Sequence, residues 1–214
     1  MLATKQFQNI FAMKLLHRYD LYGWSNFDEE RNIDFNSIAW IRPQGNILID
    51  PVNISSHDWK HLSSLGGASW IAITNSDHVR AAKQIANSFG AKIAGPIAEK
   101  DNFPIKCDRW LADGDELVQG LQVLELQGSK TPGELALLLE KTTLITGDLI
   151  RAPKAGTLTI LPDSKLFDRA QAVASVQRLA KIKEIEAVLV GDGWSIFRDG
   201  SVVLQELAAS LQPN

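Results

Sequence analysis

Trp70-Ile71-Ala72-Ile73-Thr74-Asn75-Ser76-Asp77-His78 is an apolar run that ends in a polar cluster. Val79, Ala82, Ile85, Ala86 and Phe89 follow at spacings of three and four, so a strand runs into a polar turn and then an amphipathic helix closed by Gly90. Three more clusters follow apolar runs in the same way. They are Gly128-Ser129-Lys130-Thr131-Pro132-Gly133 after Leu121–Leu126, Thr146-Gly147-Asp148 after Thr143–Ile145, and Gly191-Asp192-Gly193 after Ala187–Val190. Each alone has a plain reading: Asp77 as a helix cap, Thr131-Pro132-Gly133 as a type II turn, and the Gly-Asp pairs as ordinary turns.

Upstream, Ile38–Ile41 and Ile47–Ile49 flank Arg42-Pro43-Gln44-Gly45-Asn46, which predicts a hairpin. Ser55 and Asp58 have capping-box spacing ahead of Trp59, Leu62 and Leu65, which predicts a helix ended by Gly66-Gly67. Downstream, Glu134–Leu139 reads as a strand. Leu166, Ala170, Val173, Val176 and Leu179 mark the expected buried stripe of a helix, and Ile196-Phe197 and Val202–Leu204 read as short closing strands. Two halves of strands, helix and strand imply two sheets face to face with helices outside.

The length of 214 residues suits a single domain, 1–214, with a sizeable core. A 45% hydrophobic and 22% charged composition is that of a globular protein, and the net charge of -3 gives no reason to expect nucleic acid or an anionic membrane as partner. Cys107 is the only cysteine, which excludes an intrachain disulfide and a cysteine-pair zinc site; a buried thiol in a reducing cytoplasm is expected. Lys5, Asn9, Lys14, His17 and Arg18 break up any leader-like apolar run, and nothing approaches the roughly 20 apolar residues of a membrane-spanning helix. His17, His57 and His61 have no partner at metal spacing. Trp24, Trp40, Trp110 and Trp194 read as packing, with Trp194 the best candidate to line a pocket because it follows a Gly-Asp-Gly turn.

The four clusters, in this order and each after a strand, resemble the metallo-β-lactamase superfamily from about Ile38 to Val203. Gly45-Asn46-Ile47-Leu48-Ile49-Asp50 is similar to an early strand of that family as well. The resemblance implies a four-layer αββα sandwich, of the α+β or α/β class. It also implies hydrolytic chemistry on a small-molecule ester, thioester or phosphoester, a choice that the core motifs do not make. The family pattern has a His-any-His-any-Asp-His run, a Gly-His-Thr-Pro-Gly segment, a Gly-Asp, and a late Gly-His-Gly. Aligned on it, the first two histidines become Ile73 and Asn75, and the third falls at Ser129 with Lys130 as an apparent insertion. One metal position is therefore expected to be empty.

The second position retains Asp77, His78 and Asp148, with Asp192 in place of the last histidine. The resemblance then implies a single divalent ion, with magnesium, manganese or iron suited at least as well as zinc to three carboxylates and one imidazole. Asp77 would serve as ligand or as the base that deprotonates water, and Lys130 would stabilise the anion forming on the substrate. A rival reading has no metal: Lys130, helped by Arg80, pairs with Asp148 or Asp77, and the chain is a catalytically inactive scaffold or binding protein. What neutralises the three aspartates discriminates between the two readings. The oligomeric state is left open.

Overall fold

The computed structural model describes residues 13–211, so the N-terminal residues read for a leader, Lys5 and Asn9 among them, lie outside the described part. A seven-stranded sheet carries β1 (Lys14–Leu15), β2 (Leu21–Asp28), β3 (Ile33–Trp40), β4 (Ile47–Ile49), β5 (Trp70–Ala72), β6 (Lys92–Pro96) and β7 (Arg109–Leu111) in that spatial order. A five-stranded sheet follows the order β14 (Ala187–Val190), β11 (Thr143–Thr146), β10 (Glu134–Leu139), β9 (Leu121–Leu126) and β8 (Glu116–Val118). A separate hairpin joins β12 (Ile150–Lys154) to β13 (Thr157–Ile160).

Strand alternation sorts the core into three layers. From β10, Leu135, Leu137 and Leu139 point between the sheets, where they meet Ile38, Trp40, Ile47 and Ile49 of the first sheet. Ala136 and Leu138 point the other way, onto α3 (Arg169–Leu179) and α4 (Gly200–Ser210). On the far side, α1 (Ser56–Ser64) and α2 (Ala82–Phe89) cover Leu48, Ile71 and Ile73 with Leu62, Ile85 and Ala86. Because side chains alternate with period two, one apolar run serves two layers at once, and the result is the expected αββα sandwich. Each fully buried Leu or Ile contributes about 1.5–3 kcal/mol relative to exposure.

The expected hairpin forms, with Ile38 opposite Ile49 and Trp40 opposite Ile47. The cap of α1 forms as well: the Ser55 hydroxyl accepts from the Asp58 N–H at 3.0 Å. Cys107 is buried.

Several expectations need correction. Val202–Leu204 is not a strand but part of α4, where Leu204, Leu207 and Ala208 bury a helical stripe; the adjacent valines suggested a strand, and the i, i+3, i+4 spacing of the apolar residues prevailed. Ile196 makes only an isolated bridge to Val188. In α3 the buried face runs through Ala172, Ser175, Val176 and Leu179, whereas Ala170 is exposed and Leu166 precedes the helix. Val79 does not begin α2: a short 3-10 turn spans Ser76–His78, Arg80 takes a positive φ of 41°, and the helix starts at Ala82. No helix among the described residues is long and apolar enough to cross a membrane.

Candidate active site

The site lies where parallel strands end. β4 pairs with β5 and β11 pairs with β14, both in parallel, so the residues just after each strand emerge side by side. These are Asp50 after β4, Thr74 and Asn75 after β5, Gly147-Asp148 after β11 and Gly191-Asp192 after β14. The Leu135 N–H donates to the Thr74 carbonyl at 2.7 Å and ties the two sheets together at this edge. Two glycines let the segments approach: a Cβ on Gly191 would lie 2.8 Å from Cε1 of the His78 ring, and one on Gly147 would lie 2.6 Å from Oγ1 of Thr74.

His78 is at the centre and is buried. Its Nδ1 lies 2.7 Å from Oδ2 of Asp50, which also accepts from the Thr74 hydroxyl at 2.6 Å, while Oδ1 of Asp50 accepts from the Thr74 N–H at 2.8 Å. Asp50 thus orients the imidazole. Sequence reading placed it only in a strand motif, and its position directly after a strand of the site edge was the available signal. Nε2 of His78 faces Nη2 of Arg80 at 3.1 Å and Oδ2 of Asp148 at 3.5 Å. Burial disfavours an imidazolium here, but the carboxylates of Asp50 and Asp148 outweigh burial and Arg80, and the pKa is pushed up to about 10.

Asp148 is buried and held by three groups. Asn75 Nδ2 donates to its Oδ2 at 3.0 Å, and Lys130 Nζ lies 2.9 Å from the same oxygen. Burial alone would raise its pKa; the hydrogen bond and charge of His78, with Lys130, hold it below the usual carboxylate range. Lys130 also lies 2.7 Å from Oδ2 of Asp77, whose side chain is 57% exposed at the rim. Despite burial, Asp148 and Asp77 raise the pKa of Lys130, so the ammonium is retained. Asp192 accepts from Nη2 of Arg80 at 3.2 Å and lies 3.1 Å from Nη2 of Arg151. Burial and Asp148 nevertheless raise its pKa. Arg151, unassigned by sequence reading, comes from the β12 strand of the small hairpin.

Arg80 is fixed from behind as well. Its Nη1 donates to the Asn36 carbonyl at 2.8 Å and the Asp50 carbonyl at 3.3 Å. These bonds offset the strain of its left-handed backbone. Glu134, also unassigned before, is buried below Asp148. It accepts from the Ser129 hydroxyl at 2.5 Å and the Leu149 N–H at 2.8 Å. Burial first, and Asp148 second, push it up to about 8.

These contacts correct the alignment of the third family histidine. Ser129 faces Glu134, away from the aspartates, whereas Lys130 faces Asp148 and Asp77. Lys130 immediately precedes Thr131-Pro132-Gly133, as the histidine does in the family segment, so no insertion is needed. Of Ser129 and Lys130, Lys130 is the one that reaches the aspartates of the site. Trp194 is exposed and lines a neighbouring groove, not this cavity.

His78, Asp148 and Asp192 each bring one ligand atom within 4.8 Å of the others, and by type and spacing this trio could hold a divalent cation. Asp77 is not in the trio; its carboxylate is at the rim with Lys130. Each member of the trio, however, already faces a cationic side chain. Lys130 is on Asp148, while Arg80 pairs with Asp192 and lies beside Nε2 of His78, and Arg151 takes the other oxygen of Asp192. Lys130, Arg80 and Arg151 pair with Asp77, Asp148 and Asp192, while the His78 imidazolium pairs with Asp50. A metal would need the anchored Arg80 to leave and would add charge beside two further cations. As built, cationic side chains occupy the positions around these ligand atoms that a metal would take.

Comparison with known proteins agrees with the fold. Two curated hydroxyacylglutathione hydrolases are similar. That of Acidiphilium cryptum (strain JF-5) is 27% identical over 167 residues, 75% of this chain and 66% of the relative. That of Rhizobium etli (strain ATCC 51251 / DSM 11541 / JCM 21823 / NBRC 15573 / CFN 42) is 32% identical over 127 residues, 57% of this chain and 46% of the relative. The chain therefore spans just under two thirds and under half of these relatives. Among solved structures, the DIM-1 metallo-β-lactamase superposes with a TM-score of 0.73 at 15% identity, covering 94% of this chain and 98% of its own. FIM-1 from Pseudomonas aeruginosa, in its mono-zinc form, gives 0.72 at 13% identity, covering 95% and 97%. A family profile described as the metallo-beta-lactamase superfamily matches residues 13–211. With sheets, strand-end clusters and profile in agreement, the chain belongs to the metallo-β-lactamase superfamily.

Proposed function

We propose that this chain is a hydrolase of a small ester or thioester, in which built-in cations carry the positive charge of the site. The observation that carries this reading is the Lys130 ammonium, 2.7 Å from the exposed Asp77 carboxylate and 2.9 Å from the buried Asp148. Asp77 faces the cavity as a base with access to water, and Lys130 stands beside it as a fixed charge for an oxyanion. In the step proposed, a water oxygen bonds to the acyl carbon and Asp77 takes the released proton. The carbonyl electron pair moves to the oxygen beside Lys130. As the intermediate collapses, the bond to the leaving oxygen or sulfur breaks, and Asp77 returns the proton to that atom. Arg80 and Arg151 hold Asp192 in place beneath the site. The hydrolase names of the similar curated proteins support the reaction class, and the substrate is not fixed by them.

A second reading has a specific observation in its favour. The convergence of His78, Asp148 and Asp192 within 4.8 Å suits a single divalent ion of zinc, manganese, iron or magnesium, and hydrolysis that depends on it. One experiment separates the two. Protein purified with EDTA is assayed against a panel of aryl esters and acyl thioesters, beside Asp77→Asn, Lys130→Met and Asp148→Ala, with elemental analysis of each. Turnover in EDTA that falls by about 10²-fold or more in the first two variants supports the metal-free reading. Turnover that requires added metal, with near-stoichiometric ion lost in Asp148→Ala, refutes it in favour of the second. No turnover under either condition leaves a non-catalytic scaffold held by Lys130.

A further inference from the structure

The cavity over the site measures about 650 Å³, within the range of small-molecule sites. Its charges are unequal. Asp77, Asp148 and Asp192 line it, against Arg31, Arg80, Lys130, Arg151 and Lys165. Lys130, Arg80 and Arg151 are matched to the three aspartates by the ion pairs above. Two cations of the lining, Lys165 and Arg31, pair with none of these three aspartates. Lys165, from the short 3-10 turn Asp163–Lys165, makes no ion pair among the described residues. Arg31, in the turn between β2 and β3, reaches Asp28 with its side chain at 3.3 Å and with its backbone N–H at 2.8 Å, and its side chain is 64% exposed.

Arg31 is also directed inward. Its guanidinium carbon lies 5.6 Å from the centroid of the Phe35 ring, and that of Arg80 lies 5.3 Å from the same centroid. Phe35 therefore has a guanidinium from each of two elements beside it, which adds to the positive charge of this wall of the cavity. Phe35, Val52 and Leu161 supply apolar wall to the same cavity.

We infer that the molecule this cavity takes is a small organic anion, its carboxylate or phosphate seated on Arg31 and Lys165 and its apolar part against Phe35, Val52 and Leu161. As a substrate it presents its ester to Lys130 and Asp77, and in that respect the inference rests on the hydrolase reading; the anion seat itself does not. A guanidinium and an ammonium suit both anions, the first through paired N–H donors and the second as a point charge. A neutral analogue of the same shape leaves both cations unanswered.

The test is calorimetric titration, at low salt, of the EDTA-treated protein with succinate, inorganic phosphate and succinamide. Arg31→Met, Lys165→Met and the double variant are titrated in parallel; both residues are exposed, and circular dichroism checks the fold. Binding of succinate or phosphate, weakened about tenfold or more by each variant and by raising the salt from 50 to ~500 mM, is the expected result. Whichever anion binds more tightly identifies the head group. Succinamide binding as tightly as succinate, or unchanged binding in the double variant, overturns the inference. Anion binding without turnover of any ester supports the seat while the hydrolase reading fails. Equal turnover of neutral and anionic esters, indifferent to both variants, sinks the seat while hydrolysis stands.

Discussion

Replacing Lys130 by methionine tests the idea that an ammonium holds the site together. Nζ lies 2.7 Å from Asp77 and 2.9 Å from Asp148, and the side chain keeps 28% of its exposure. At an effective dielectric of about 20, one such contact carries about 6 kcal/mol of attraction, offset in large part by desolvation of both groups. The variant loses this attraction but leaves Asp148 buried without its ammonium partner. Removing one partner of a buried pair costs about 3–5 kcal/mol, and partial exposure of Lys130 places the expected loss near the low end, about 3 kcal/mol. For a domain of this size that corresponds to a fall in Tm of about 6–12 °C. The assay is thermal and urea unfolding followed by circular dichroism, with and without EDTA. Lys130→Met with Asp148→Asn should recover most of the loss, because no buried charge is then stranded. A single variant within about 0.5 kcal/mol of the parent would refute the reasoning. So would an EDTA-induced drop of several degrees in the parent, which would mean that a metal was holding Asp148.

Other expectations concern the packing and protonation around that pair. Gly191→Ala places a methyl 2.8 Å from the His78 ring edge and should cost about 1–3 kcal/mol by urea unfolding, with ring movement visible as a shifted His78 NMR signal. Glu134 has its folded pKa pushed up to about 8 from 4.5, so the stability it contributes is complete below 4.5 and is lost as pH rises through about 8. Glu134→Gln cannot ionise, so its Tm relative to the parent should climb between pH 5 and 9; a constant difference would disprove the assignment. Cys107 is buried, and burial with Asp108 nearby pushes its thiol up to about 12. It should resist Ellman's reagent at pH 8 in the folded protein and react in urea.

Much of this architecture was legible in the chain itself. Glu134–Leu139 and Ala187–Val190 read as strands because short apolar runs with a glycine turn at one end and charged residues at the other have few alternatives, and the order of polar clusters after strands pointed to the αββα sandwich. Local pattern failed where tertiary context chose the state. Leu21–Asp28, interrupted by Gly23, Ser25 and Asn26, is an eight-residue strand only because β3 pairs with it along its whole length. Val202–Leu204 joined a helix because Leu204, Leu207 and Ala208 had a face of the second sheet to cover.

The same division holds at the site. Asp77, His78, Lys130, Asp148 and Asp192 could be named from motif order alone, and so could the replacement of four of the family's histidines. Their partners could not. Asp50 and Asp148 are 98 positions apart in sequence (148 − 50) yet face the same imidazole, and Arg151 reaches Asp192 from a hairpin that no motif marked. Sequence fixes which charges are present; only the face-to-face packing of two sheets, which brings their strand ends together, decides which of them meet. Here that packing set a lysine and two arginines against the three aspartates.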